Sequence, residues 1–542
     1  MRGLMQDAPL LVSGLIEHAG RYHGAVEIVT RGVEGEIRRS DYRGVLRRAK
    51  RAARALLRLG VAPGERIATL AFNTERHFEL YFALPGIGAV CHTVNPRLSA
   101  NQIAYIVNHA EDAYVFLDLS FVPLAEELAP RLPSVRGYVV LTDRAHMPEA
   151  KLPNLLCYEE LLAREDDDYA WPSFDENTAS GLCYTSGTTG EPKGVLYSHR
   201  CMILHAFGIG LADGLQISAR ESILTLVPMF HANAWGIPYA AALCGARQIF
   251  PGARLDGPSL YELIESERAT HAAGVPTVWR GLLDHVRDRG CRFSTLRHAL
   301  IGGAAAPRAM LEELERDLGV TTLHGWGMTE MSPVGTLPTL KPEHDVLDLD
   351  RKLDFKVRQG RAFFGVELKI VDDEGRELPR DGRAFGHLLV RGPWVVRRYF
   401  KAKSDAIDAQ GWFDTGDVAT LDADGYMRIT DRAKDMIKSG GEWISSIELE
   451  NLAMGCPGVA EAAAIGVPHP KWGERPLLVV VKAKGENVSA EAIIEGMRPH
   501  LAKWQLPDEV VFVDALPHTA TGKVDKKALR ALIATLRDES AA

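Results

Sequence analysis

Through the first 330 residues, short apolar runs alternate with stretches whose apolar residues recur every three or four positions. Arg66-Ile-Ala-Thr-Leu-Ala-Phe72, Ala113-Tyr-Val-Phe-Leu117, Gly137-Tyr-Val-Val-Leu141 and Ser222-Ile-Leu-Thr-Leu-Val227 read as strands buried on both faces. Tyr42 to Leu59 carries the helical spacing. Such alternation predicts α/β layers with largely parallel sheets. The texture changes after about residue 360. Val366-Glu-Leu-Lys-Ile-Val371 with the turn Asp372-Asp-Glu-Gly375, His387-Leu-Leu-Val-Arg391 and Tyr426-Met-Arg-Ile-Thr430 predict a β-rich subdomain. A charged link, Asp431-Arg-Ala-Lys-Asp435, follows. Beyond it the pattern restarts with a helix near Ser446 to Met454 and strands near Ala460 to Gly466 and Leu477 to Val481. The expectation is an α/β multidomain protein: a large N-terminal domain over 1–433 and a small, mobile α+β domain over 434–542, with the boundary at Lys434.

A chain of 542 residues exceeds one ordinary core, which agrees with two domains. Its charge of -8, from 63 Lys+Arg against 71 Asp+Glu, lacks the basic footprint of a nucleic-acid binder. Cys91, Cys157, Cys183, Cys201, Cys244, Cys291 and Cys456 are scattered and form no CxxC pair. That argues against a disulfide framework or zinc cage and fits a reducing cytoplasm. The N-terminus has no signal-peptide pattern, and the longest near-apolar stretch, Ala234 to Ala246, is too short to span a bilayer. No integral membrane segment is expected.

The strongest chemical signal is Tyr184-Thr-Ser-Gly-Thr-Thr-Gly-Glu-Pro-Lys-Gly194, which follows the apolar Gly181-Leu-Cys183. A loop this rich in Gly, Ser and Thr can aim backbone N–H groups and hydroxyls at phosphate oxygens, with Lys193 as a cation. It does not match the Walker A pattern, and no GxSxG or HExxH motif occurs. The alternative is a solvated surface loop.

This segment resembles the phosphate loop of the acyl-adenylate-forming superfamily, which includes acyl-CoA ligases, peptide-synthetase adenylation domains and luciferases. The resemblance continues through Pro228-Met-Phe-His-Ala-Asn-Ala-Trp-Gly236, Ile301-Gly-Gly-Ala-Ala-Ala-Pro307, His324-Gly-Trp-Gly-Met-Thr-Glu330, Gly411-Trp-Phe-Asp-Thr-Gly-Asp417, the hinge Asp431 to Gly441 and Thr519-Ala-Thr-Gly-Lys523. It implies an enzyme that joins a carboxylic acid to the α-phosphate of ATP and then transfers the acyl group to coenzyme A. By that resemblance Thr185, Ser186, Gly187, Thr188, Thr189, Gly190 and Lys193 hold phosphates. Gly302, Gly303, His324 and Gly325 line the adenine pocket, Trp326 lies against the adenine face, and Thr329 holds the α-phosphate. Asp417 accepts hydrogen bonds from the ribose hydroxyls, and Arg432 donates to ribose or phosphate. Glu330, assisted by Thr185, binds Mg²⁺. Lys523 bridges carboxylate and α-phosphate, and Lys434 is the hinge. His231, Trp235, Gly236, Gly303 and Pro333 line the acyl pocket. Lys438, Gly440, Gly441, Glu442 and Trp443 meet CoA after the domain turns, and Lys438 also serves the nucleotide.

Taken alone, Glu330 is a capping or surface acid, Asp417 a turn residue, Lys523 a solvated lysine and His231 a packed core histidine. Two departures stand out: His387 replaces the usual Gly-Glu, and His324 takes an aromatic or amide position. The roles of Lys526 and Glu474 stay open. Pro228 to Gly252 resembles the medium- and long-chain fatty acid branch. The opening Leu10 to Gly24 and Asp431 to Ser446 are similar to bacterial 3-methylmercaptopropionate–CoA ligases. The expected substrates are therefore that thioether acid and short or medium-chain fatty acids. Long-chain acids, or an adenylation module loading a carrier protein, are the alternatives. A homodimer is expected by resemblance only.

Overall fold

The computed structural model describes residues 1, 3–185, 191–440, 442–519 and 523–541. Ser186, Gly187, Thr188, Thr189, Gly190 and Gly441, expected to bind phosphate or CoA, lie outside the described residues.

Two seven-stranded sheets carry the large N-terminal part. In one, Arg66–Leu70 lies between Val90–Thr93 and Tyr114–Leu117, all parallel, and Gly137–Val140 continues the ladder. In the other, Ser222–Thr225 lies between Arg247–Phe250 and His271–Gly274, again parallel. Each sheet ends in one antiparallel strand: Gly194–Ser198 on Ala179–Tyr184, and Ile37–Asp41 on Glu27–Arg31. The near-continuous apolar runs follow from this placement, since helices cover both faces.

The covering helices form for local reasons. Tyr42–Arg58 starts where Asp41 accepts the Gly44 N–H at 2.6 Å, a cap worth about 0.5–2 kcal/mol. It buries Val45, Ala49, Ala52, Ala53 and Leu56, one stripe at three- and four-residue spacing. A four-stranded antiparallel sheet follows, in the order Glu367–Val371, Phe385–Arg391, Phe413–Leu421, Met427–Arg432. A smaller C-terminal α+β domain has its own sheet. There Val459–His469 pairs with Gly473–Lys482, which also pairs with Glu509–Phe512. Two core clusters, one around Leu449, Leu478 and Ile493 and one around Ile465, Val479 and Leu529, fill its two faces.

One expectation changes. The link Asp431 to Asp435 is not wholly a link, because the strand runs on to Arg432, with Val418 opposite Asp431 and Asp417 opposite Arg432. Side-chain partners on both sides explain this. Asp431 accepts the Ser446 N–H at 2.6 Å and so caps the C-terminal helix Ser446–Met454 across the junction.

Candidate active site

Strand ends and the turns after them bring the candidate residues to one cleft between the two domains. His298–Ile301 and Thr321–His324 are neighbouring parallel strands, and Gly302–Gly303 and Gly325–Trp326 follow them at the same end. That is the end at which open α/β sheets place their ligands. The indole N–H of Trp326 donates to Asp417 Oδ2 at 2.9 Å, and Arg432 Nε donates to Asp417 Oδ1 at 2.7 Å. Asp417 is buried, and both its oxygens are thereby oriented. Arg432 faces it because the two are register partners on adjacent strands.

Glu330 is also buried, with Oε1 accepting the Tyr399 hydroxyl at 2.8 Å. Lys193 Nζ stands 4.9 Å over the Tyr399 ring, so the phosphate-loop lysine and Glu330 share a tyrosine. Tyr197 O–H donates to the Thr329 carbonyl at 2.6 Å and fixes the segment before Glu330. Thr185 closes the phosphate loop at its base: its N–H donates to the Lys193 carbonyl at 2.9 Å, and its Oγ1 accepts from the Lys193 N–H at 3.2 Å. Neither tyrosine belongs to a motif recognisable in the sequence, so both were missed there.

Lys523 enters this cleft from the C-terminal domain. Surrounding protein and the Arg432 charge push its ammonium down to about 8, while Asp417 and Glu330 pull the other way and Lys434 adds to the depression. The residue keeps contact with water at the cleft mouth, which tempers the burial effect. His231 is partly buried beside Asn95, Tyr184, Thr185 and Phe230. Burial, and then the Lys523 charge, hold it neutral with its pKa lowered to about 4.

Trp235 sits on a turn that no periodicity foretold. Ala232, Asn233, Ala234 and Trp235 all take positive φ, from 44° to 58°, and Gly236 ends the run at 75°. Left-handed backbone costs L-residues roughly 1–2 kcal/mol each, a strain that collects at functional sites. The turn lays the indole against Gly302, where an added Cβ would come within 3.1 Å of the ring, and near Gly303. At Gly236 an added Cβ would meet His205 at 2.6 Å, so only glycine fits. His205 accepts the N–H of Val334, next to Pro333, at 3.0 Å, which places buried Pro333 on the same wall.

His324 is buried with Nε2 toward Ala304 and Ala306 of the loop after His298–Ile301, and burial lowers its pKa to about 4. His387 pairs with Asp373 at 2.9 Å on the outside of the four-stranded sheet. Lys434 occupies an exposed turn between the strands Met427–Arg432 and Ile437–Ser439. The hairpin Ile437–Ser439 and Glu442–Ile444 carries the expected CoA residues. Lys438 Nζ lies 4.7 Å over Trp443, Trp443 packs on Phe385, and Gly440 donates its N–H to the Trp472 carbonyl at 2.7 Å. Glu442 is exposed there. Among the described residues no contact links this hairpin to His231 or Trp235. Lys526 pairs with half-buried Glu450 at 2.7 Å, and Glu474 accepts the Lys438 N–H at 3.0 Å.

Comparison with known proteins agrees with this geometry. The model of AMP-binding enzymes matches residues 15–400, and that of the AMP-binding enzyme C-terminal domain matches 448–523. The chain belongs to the AMP-binding enzyme family. This AMP-binding enzyme is 51% identical over 530 residues to a 3-methylmercaptopropionyl-CoA ligase of Ruegeria lacuscaerulensis, covering 98% of each chain. It is 48% identical over 530 residues to a medium-chain-fatty-acid–CoA ligase of Ectopseudomonas oleovorans, covering 98% of this chain and 97% of that protein. Among solved structures it resembles the anthranilate CoA ligase AuaEII in complex with anthranoyl-AMP. The TM-score is 0.87 at 25% identity, over 98% of this chain and 100% of that one. Among the described residues, no helix is long and apolar enough to cross a membrane.

Proposed function

We propose that this enzyme is an ATP-dependent carboxylic acid–CoA ligase acting on 3-methylmercaptopropionate and on short and medium-chain fatty acids. The observation that carries the reading is the constellation of Asp417, held by Trp326 and Arg432, and buried Glu330, held by Tyr399, with Lys523 of the other domain in reach of their charges. A carboxylate oxygen attacks the α-phosphorus, a P–O bond forms, and pyrophosphate leaves with the electron pair of the broken bond. The CoA thiolate then attacks the acyl carbonyl, and AMP leaves.

Both reactants of the first step are anions, so the site must supply fixed positive charge and an in-line geometry. Lys523 bridges the carboxylate and the α-phosphate, and Lys193 and the phosphate loop hold the outer phosphates. Asp417, its two oxygens oriented by Trp326 and Arg432, accepts the ribose hydroxyls, while Trp326 offers a face to adenine. Neutral His231 flanks the acyl carboxylate without adding charge. Trp235, Gly302, Gly303 and Pro333 bound the acyl end.

Glu330 has one oxygen held by Tyr399, and its only expected protein companion is the hydroxyl of Thr185. No group of three or more His, Cys, Asp or Glu that could hold a metal exists among the described residues. One carboxylate and one hydroxyl suit Mg²⁺, a hard cation that keeps several waters and arrives with phosphates. When bound, it would neutralise the charge growing on the departing pyrophosphate.

The hinge stays assigned to Lys434, with 434–542 as the mobile domain. In this orientation Lys523 is in the cleft, which suits the first step. A turn about Lys434 exchanges it for Lys438, Gly440, Gly441, Glu442 and Trp443. The relatives named for the thioether acid and for medium-chain acids support the substrate range, and one methylene changes discrimination by only about 1–3 kcal/mol. Pyrophosphate release measured on a panel of acids, with and without CoA, tests the reading. Release without any CoA-dependent thioester would overturn it.

A further inference from the structure

The helix Pro276–Arg289 starts at the cleft, where Val275 lies against Gly303, and then turns Arg280 toward the C-terminal domain. Arg280 Nη1 donates to the Ala460 carbonyl at 3.1 Å, and Nη2 donates to the Glu461 carboxylate. Glu461 stands on the strand Val459–His469, and its other oxygen lies 3.8 Å from His518 Nε2, a loose electrostatic contact. His518 forms a bridge with Val524 that closes the base of the loop carrying Lys523. Within that loop the Thr519 N–H donates to the Lys523 carbonyl at 2.7 Å. Leu516, just before the loop, shares a core cluster with Ala463 and Ile465 of the Glu461 strand. Strand and loop therefore move as one body, and where Glu461 docks decides where Lys523 arrives.

We propose that Arg280 and Glu461 are a positioning pair for the adenylating half-reaction, setting the small domain so that Lys523 reaches the nucleotide. The inference rests on the two-orientation reading above. Rotation about Lys434 would carry Glu461 away from Arg280, so the pair has no duty in thioester formation. Its two hydrogen bonds tie the helix Pro276–Arg289 of the large domain to the strand Val459–His469 of the small one. A purely structural ion pair within one domain could not act on one half-reaction alone.

The test uses the full chain with 3-methylmercaptopropionate and hexanoate. Pyrophosphate release reports the first half-reaction, and CoA thiol loss from synthetic acyl-adenylate reports the second. Arg280→Ala and Glu461→Gln should lower pyrophosphate release about tenfold and leave thioester formation within about twofold. The swap Arg280→Glu with Glu461→Arg restores the ion pair but not the bond to the Ala460 carbonyl, and should recover part of the loss. Unchanged pyrophosphate release, equal damage to both half-reactions, or a loss the swap leaves uncorrected overturns the assignment. Lys523→Ala run alongside separates the two ideas. If it too damages both half-reactions equally, the two-orientation reading fails, and if it spares thioester formation, any failure belongs to Arg280 and Glu461.

Discussion

Trp326 donates its indole N–H to Asp417 across 91 residues of sequence, joining the aromatic wall of the proposed adenine site to its proposed ribose acceptor. The bond ties strands from two different sheets, so each residue sets the position of the other. Trp326→Phe keeps a ring face but removes the donor. Hydrogen bonds to charged groups are worth about 1.5–3 kcal/mol. The expected outcome is a rise of about tenfold in the KM for ATP, with a smaller change in kcat. Asp417→Ala should cost more, because it also leaves Arg432 without its partner. Steady-state pyrophosphate release at varied ATP reads both, and an unchanged KM in Trp326→Phe would remove this bond from nucleotide binding.

Glu330 and Tyr399 make the second testable pair. Glu330→Gln keeps the shape, halves the acceptor capacity and removes the charge, and should lower adenylation by about 10² or more. Tyr399→Phe frees the carboxylate oxygen that the hydroxyl now holds. Its adenylation should fall by less, while the Mg²⁺ concentration for half-maximal rate moves. Magnesium titrations of both variants check this. A Tyr399→Phe curve that superimposes on wild type would make the tyrosine a packing residue.

Local elements were legible where the signal is local. The helix Ser446–Met454 follows from a Ser445 cap and an apolar stripe, and the parallel ladders follow from runs apolar on every residue. Asp431 and Arg432 read as part of a charged link, but the strand continues through both, because each faces a partner far away in sequence, Val418 and Asp417. The left-handed turn at Ala232–Gly236 was not legible, since four of its five residues are not glycine and carry no turn signature. Tyr399 and Tyr197 were missed for a related reason: each reaches the site through a single side-chain bond, and no spacing rule announces it. His324 faces the segment its motif position implied, with Nε2 toward Ala304 and Ala306 of the stretch expected near adenine.

Trp235, proposed to bound the acyl pocket, is held by strained backbone and by the glycines facing it. Trp235→Ala should open that space and shift the preferred acid toward longer chains. Gly302→Ala should do the reverse, because its methyl would press on the indole. Rates over a series of straight-chain acids measure both. Identical chain-length profiles in the two variants and wild type would make Trp235 part of the core.

Lys434 lies in the turn joining the sheets of the two domains, and among the described contacts its backbone N–H has no hydrogen-bond partner. Proline there removes no bond but fixes φ and hinders any change of backbone conformation. Lys434→Pro should therefore spare the first pyrophosphate burst and slow thioester formation by about tenfold or more, as for other hinge positions. Rapid-quench measurement of the burst and of thiol loss checks the order of effects. An equal slowing of both would place the pivot elsewhere.

The last prediction concerns pH and Lys523. Its pKa is pushed down from the ordinary lysine range to about 8, first by the protein around it and then by Arg432. The ammonium is the form that can neutralise the carboxylate and α-phosphate, so the sign is fixed: activity needs the proton and is lost as pH rises. kcat/KM for ATP, which reports the free enzyme, should hold below about pH 7 and fall through about 8. Bound polyphosphate adds negative charge near the ammonium and favours its protonated form. The matching limb in kcat should therefore lie at higher pH than the limb in kcat/KM. Lys523→Arg, whose guanidinium does not lose its proton in this range, should remove both limbs even where its absolute rate is lower. Pyrophosphate release measured from pH 6 to 10 at limiting and saturating ATP gives the two profiles. A falling limb near 8 that persists in Lys523→Arg would show that another group titrates, and would separate the depressed lysine from the chemistry of adenylation.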